Sequence, residues 1–295
     1  MYRTWVITRH TFVESISQPI YSLLLGVGSA IVLIFMFLPF FTLGEDTTMF
    51  KSVGLDIIVV LVLLSTLFAT SRSIHEEIED RTMLTLMSKP VSRLEVLVGK
   101  YLGLILSAAV AVAALGALLC LCTWWRVPGD YMLNTRSIDP RDVAQLSNLR
   151  SAHLGGLYPT LLLSWLQIAV LSAVSVAVST RFSLVVNLPA VILLYVAGNL
   201  TRFLPDATAS ASVFAKGLST VLASLLPFLE VFDLKRFAVY STIGMDSADT
   251  TRAVSYGFIW GNVALSAVYA AFYAAFALLL GLLVFRNREL GGNEG

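Results

Sequence analysis

The chain has 295 residues, 57% of them apolar and only 13% charged, with a net charge of +1. Soluble domains carry about 25% charged residues, so this balance argues for a membrane protein, and near-neutrality implies no nucleic-acid or acidic-substrate partner. Cys120 and Cys122 sit inside an apolar run and read as small packing side chains, not as a disulfide or metal pair.

Residues 2–17 predict an amphipathic helix lying along the membrane surface. Tyr2, Trp5, Val6, Phe12, Val13 and Ile16 form one apolar stripe, with Thr4, Thr8, Thr11 and Ser15 opposite. Arg9 projects from the middle of the stripe, a position from which it snorkels to phosphates or meets a protein partner. Pro19 then turns the chain into a first span. Apolar runs near 20–42, 55–72, 96–124, 157–180, 184–204 and 257–285 each meet or approach the roughly 20 residues needed to cross the hydrocarbon. In lipid such runs are helices, since every backbone polar group must bond internally. The first run is longer than a signal-peptide core, and no A-x-A site follows it, so a cleaved signal peptide is not expected. Arg72, Arg81, Lys89, Arg93, Lys100, Arg181, Arg286 and Arg288 cluster near span ends on one side, which predicts both termini inside.

Between the second and third spans lies the main polar stretch, Ile74 to Gly103. Ile74 and Ile78 share a helical face, with Glu76, Glu77, Glu79 and Asp80 on the other. Glu77 and Arg81 have the favoured order for an i,i+4 pair. From Met83 the apolar positions rotate away, so a break is expected near Arg81–Thr82. Thr82 then caps a short transverse helix that Pro90 stops. Ser92 and Glu95 form an S-x-x-E capping box that starts the third membrane helix. Gly99 and Gly103, like Gly257 and Gly261 at the start of the last span, are spaced for close helix packing, within one subunit or between two. From these residues alone, a solvated loop and a docking surface both remain open.

Two outer segments are longer than turns. In 125–156, Asp139-Pro140-Arg141-Asp142 predicts a helix start, and Val143, Leu146 and Leu149 give it a narrow apolar stripe. A short helix lying on the outer surface is expected there, with Trp124, Trp125 and Tyr131 in the interfacial belt. In 205–256, Val213 to Leu226 is apolar enough to resemble a seventh span. Lys216 and Gly217 before it, and Pro227 and Glu230 after it, favour a re-entrant or interfacial segment.

The spans carry no acidic residue away from their ends, with Asp56 and Lys100 read as span edges. That argues against an ion-coupled carrier. Gln167, Asn187, Asn199 and Asn262 read as helix–helix hydrogen-bonding groups. No G-x-x-x-x-G-K-[ST] is present, and Gly26-Val27-Gly28-Ser29 is packing material inside a span. His75-Glu76-Glu77-Ile78-Glu79 lacks the second His of a zinc helix, and no Ser has a plausible His base, so catalysis in this chain is not expected.

The pattern carried by Glu77, Glu79, Thr82, Leu86, Pro90, Val91, Ser92, Arg93, Gly99, Lys100 and Gly103 resembles the loop between the second and third spans of ABC-2 type transporter permeases. It looks closest to the group associated with multicopper-enzyme maturation and gliding systems. The resemblance implies an all-α membrane protein forming one transmembrane domain over 1–295. That domain has six transmembrane helices, an N-terminal interfacial helix, a cytoplasmic coupling helix within 74–95 and short outer-surface helices. It implies a subunit of an ATP-driven exporter in the bacterial inner membrane. ATP and Mg would be held by a separate ATPase subunit and no cofactor by this chain, and a second permease subunit would complete the path. The resemblance places ATPase docking at Glu77, Glu79, Arg81, Thr82, Leu84, Leu86, Met87, Pro90 and Arg93. A membrane anchor or assembly factor that moves nothing shares the composition and is the competing expectation.

Overall fold

The computed structural model describes residues 2–38, 46–80, 92–130, 140–200, 227–235, 239 and 256–286. These residues hold helices and turns and no strand. The elements are α1 (Tyr2–Ser17), α2 (Pro19–Phe37), α3 (Asp46–Thr70), α4 (Arg93–Asp130), α5 (Pro140–Ser179), α6 (Leu184–Leu200) and α7 (Tyr256–Arg286). Helix α3 continues through a π-helical turn, Ser71–Glu76, into one further turn, Glu77–Glu79. Among the described residues, five helices are long and apolar enough to cross a membrane, and α6 is a shorter apolar helix. The helices alternate in direction. Helix α1 packs on the first turns of α4, and Phe285 near the end of α7 meets Arg93 at the start of α4. We call this the loop end, because α3 and its extension reach Asp80 there and α4 starts there at Arg93.

Helix α5 is the central staff. Leu163, Ile168, Val170, Leu171, Ala173 and Val176 are fully buried against α3, α4, α6 and α7. Helix α2 is peripheral: among the described residues it packs mainly on α3 and α4, with a smaller contact to α1. Its Leu23, Val27, Leu33 and Ile34 stay exposed, as lipid-facing residues would.

At the opposite end α4 and α5 run past the bilayer. Helices of 38 and 40 residues measure about 57 and 60 Å, nearly twice the hydrocarbon thickness of about 30 Å. The Arg150 guanidinium donates to the Trp124 carbonyl at 3.2 Å and stacks over the Trp124 ring at 4.4 Å. This corrects the expected surface-lying helix. The segment from Pro140 is the continuous N-terminal extension of the fourth span, forming a helical hairpin with α4. A polar helix needs no apolar run to persist when a neighbouring helix supports it.

Arg126 ties this end together. It donates to the carbonyls of Phe35, Met36 and Leu38 at 3.1, 2.8 and 3.1 Å and lies over the Phe50 ring at 5.4 Å. Those carbonyls end α2 and have no helical partner of their own, so a cation there also complements the helix dipole.

The second span also differs from expectation. Helix α3 begins at Asp46, so Asp56 lies well inside it instead of at an edge. Asp56 pairs with Lys235, and Lys51 is fully buried with its ammonium 3.5 Å from the Val239 carbonyl. Both partners come from the segment before α7. Its 3-10 turn, Leu229–Phe232, wedges between α5, α6 and α7. The Phe228 N–H donates to the Tyr269 hydroxyl at 2.8 Å, and the Ser266 hydroxyl donates to the Val231 carbonyl at 3.0 Å. Ser266 lies about 15 Å along α7 from its start. The non-helical backbone of this turn is thus satisfied by side chains of α7. The run Val213 to Leu226 lies outside the described residues.

Candidate functional site at the loop end of the bundle

The expected capping box is formed. The Ser92 N–H and hydroxyl reach Glu95 Oε2 at 2.9 and 3.1 Å, and the Glu95 N–H donates to the Ser92 hydroxyl at 3.2 Å. Helix α4 therefore has a fixed start immediately after the loop. Its first three turns then meet four different neighbours.

Arg93 reaches α7. Its guanidinium donates to the Phe285 carbonyl at 2.7 Å and lies over the Phe285 ring at 5.2 Å. This is the same device as Arg126 at the other end, a cation capping a helix C-terminus and stacked on a ring.

Gly99 and Gly103 receive α1. A Cβ on Gly99 would sit 2.9 Å from Ile7 Cβ, and one on Gly103 would sit 2.7 Å from the Thr8 carbonyl oxygen. Only glycine allows this approach, so the pair packs within the subunit. The face of α1 that meets α4 is the polar one. Thr8, Thr11 and Ser15 are buried, and Tyr2, Trp5, Val6 and Val13 stay exposed. The hydroxyls of Thr8 and Ser15 bond back to the carbonyls of Thr4 and Thr11 at 2.9 and 2.7 Å, which makes them satisfied small side chains that tolerate burial. The apolar stripe is thereby turned outward, the orientation an interfacial helix needs.

Lys100 reaches the end of α3. It is almost fully buried, and its ammonium donates to both the Ser73 carbonyl and the Ser73 hydroxyl, the latter at 3.0 Å. It also pairs with Glu77 Oε1 at 2.7 Å. All three ammonium protons are thus used. Ser73 is in the π-helical turn, and Glu77 follows it. Tyr101, the next residue, donates from its hydroxyl to the Ala169 carbonyl of α5 at 3.1 Å. Ile74 and Ile78 share one face as expected, buried together with Val96, Leu97, Tyr101, Ala173 and Phe285.

The expected docking residues therefore divide. Glu77 is only 24% exposed and holds Lys100, so it is part of an internal joint and not a free rim charge. Glu79 is exposed and lies 3.0 Å from the buried His75 Nε2. Arg93 caps α7. Arg81, Thr82, Leu84, Leu86, Met87 and Pro90 lie outside the described residues. Gly257 and Gly261 face outward, with open space where a Gly261 Cβ would go. Ser73 and Lys100 were missed as site residues. Lys100 carried a signal, because an apolar span seldom begins with a lysine in its second turn unless an acid nearby can meet it.

The fold and this joint define an all-α, multi-pass membrane protein. Residues 7–290 match the family model described as ABC-2 family transporter protein. The chain belongs to that family and is a permease subunit of an ABC transporter. No curated protein matches the chain.

Proposed function

We propose that this chain is the membrane half of an ATP-driven exporter and that a separate ATPase docks on residues 74–95. ATP and Mg belong to that partner, and this chain turns over nothing itself. Six crossings are too few to enclose a wide path, so a second permease copy or a similar chain completes it. The outward Gly257 and Gly261 are a surface available for that pairing. In this reading both termini and the loop end face the cytoplasm of a bacterial inner membrane.

The observation that carries the reading is the convergence at α4. The helix that leaves the loop is hydrogen-bonded within three turns to the ends of α3 and α7 and to Ala169 of α5, and its two glycines pack closely on the middle of α1. A loop that only had to stay wet would need none of these ties. A push on the loop delivered by a closing ATPase would reach α1, α3, α5 and α7 at once.

Leu84→Asp and Leu86→Asp, compared with Glu76→Ala, test the docking claim by co-purification of the ATPase. Burying an unpaired carboxylate costs several kcal/mol, whereas a rim charge contributes about 0–1 kcal/mol. The two Asp variants should lose the ATPase and Glu76→Ala should keep it. Wild-type recovery of ATPase by both Asp variants would place docking elsewhere, and a chain that never retains an ATPase would be an anchor.

A further inference from the structure

We propose that Lys100 is the positioning residue that makes α3 follow α4, by locking the register of the π-helical turn Ser71–Glu76. The proposal rests on the functional reading above and adds to it the route by which movement at the loop enters the second span.

A π-helical turn holds about one residue more per turn than the α-helix on either side of it, and such turns are frequent at functional sites. Left alone, this one has two ways to respond when the loop is displaced. It can pass the displacement into α3, or it can slip back towards α-helical pairing and absorb it. Lys100 removes the second option. Two of its three protons go to Ser73 inside the turn and the third to Glu77 beyond it. A slip of one residue would pull the Ser73 carbonyl or the Glu77 carboxylate away from a buried ammonium that has no water to replace it. Burial therefore makes slipping costly, because a buried cation that loses its partners keeps its desolvation penalty.

The surroundings reinforce the lock. Ile74, inside the turn, is buried together with Val96, Leu97 and Tyr101 of α4, which flank Lys100 in sequence. Across the turn, His75 is buried and held at 3.0 Å from Glu79. The joint is also selective. Among the described residues, Arg93 bonds the end of α7, the two glycines seat α1, and Lys100 bonds the loop end of α3. Loss of Lys100 should therefore uncouple α3 and leave α7 coupled, a split that a general packing defect would not give.

Hydrogen exchange of the intact complex with its ATPase in lipid nanodiscs reads this without knowledge of the cargo. Exchange is compared between the nucleotide-free state and the ATP–vanadate state. In wild type, peptides from both α3 and α7 should change their exchange rate with nucleotide. In Lys100→Met the change in α3 should fall at least fivefold, with α7 still responding and the ATPase still bound and hydrolysing ATP. In Arg93→Met the pattern should reverse. If Lys100→Met does not assemble, Ser73→Ala, outside the docking segment, keeps the lysine, removes one of its partners and is read by the same criterion. A change in α3 within twofold of wild type, in whichever variant assembles, overturns the proposal alone. A wild-type complex that binds ATPase but shows no change in either helix overturns it together with the coupling reading.

Discussion

Gly103→Ala sets the packing account against helix propensity, because the two predict opposite signs. In a helix interior alanine is favoured over glycine by about 1 kcal/mol. At Gly103 the added methyl would lie 2.7 Å from Thr11 Cβ and from the Thr8 carbonyl oxygen, and 3.0 Å from the Phe12 nitrogen. Ordinary contact begins at 3.4 Å, and all three opposing atoms belong to the α1 backbone or its first side-chain carbon. None can swing aside as the tip of a long side chain does, so α1 itself must move. Overpacking of this kind costs about 1–3 kcal/mol. The net expectation is a loss of up to about 2 kcal/mol. Gly261→Ala is the matched control, since nothing lies within 4 Å of its added carbon. It should be neutral or gain up to about 1 kcal/mol. Gly26→Ala, also open, serves as a second control away from the outward face of α7. Unfolding by SDS titration from detergent micelles measures the three side by side. Gly103→Ala as stable as the two controls would refute the close seat of α1 on α4.

Two further outcomes follow from buried and exposed charge. Lys51 is fully buried with one acceptor at 3.5 Å among the described residues, so Lys51→Met should raise stability in the same titration, by about 1–4 kcal/mol; a marked loss would mean that the ammonium has a role that methionine cannot fill. In a background lacking Cys120 and Cys122, cysteines at the exposed Asp80 and Ser151 should label with an impermeant maleimide from opposite sides of the membrane, Asp80 from the cytoplasm; labelling from the same side would contradict the alternating order of the helices.

Features set by neighbours in sequence were legible in it. The apolar runs name the membrane helices, the S-x-x-E spacing gives the start of α4, and the stripe on α1 gives its outward face. Features set by distant residues were not. Helix α3 starts earlier than its apolar run because Asp56 and Lys51 find partners in Lys235 and Val239. Without those partners, both would mark the edge of a span. The hairpin of α4 and α5 is not visible in the local sequence because Arg150 finds its support in Trp124 of α4. The inward role of Glu77 is hidden for the same reason. An acid on the polar side of a short helix looks solvated until Lys100 arrives from the next one. The glycine pairs show the limit most plainly. Gly99/Gly103 and Gly257/Gly261 have the same spacing, yet the first pair is filled by α1 and the second faces outward.

The central claim is that the segment between α3 and α4 is where an ATPase engages this permease subunit. Photo-crosslinking in intact membranes tests it most directly, with benzoyl-phenylalanine placed at Leu84, at Met87 or, as a control at the far end of the bundle, at the exposed Trp125. The account predicts an adduct with the ATPase from Leu84 and Met87, altered in yield by ATP–vanadate, and none from Trp125. Adducts that form only from Trp125, or from none of the three while the ATPase still co-purifies, would contradict it.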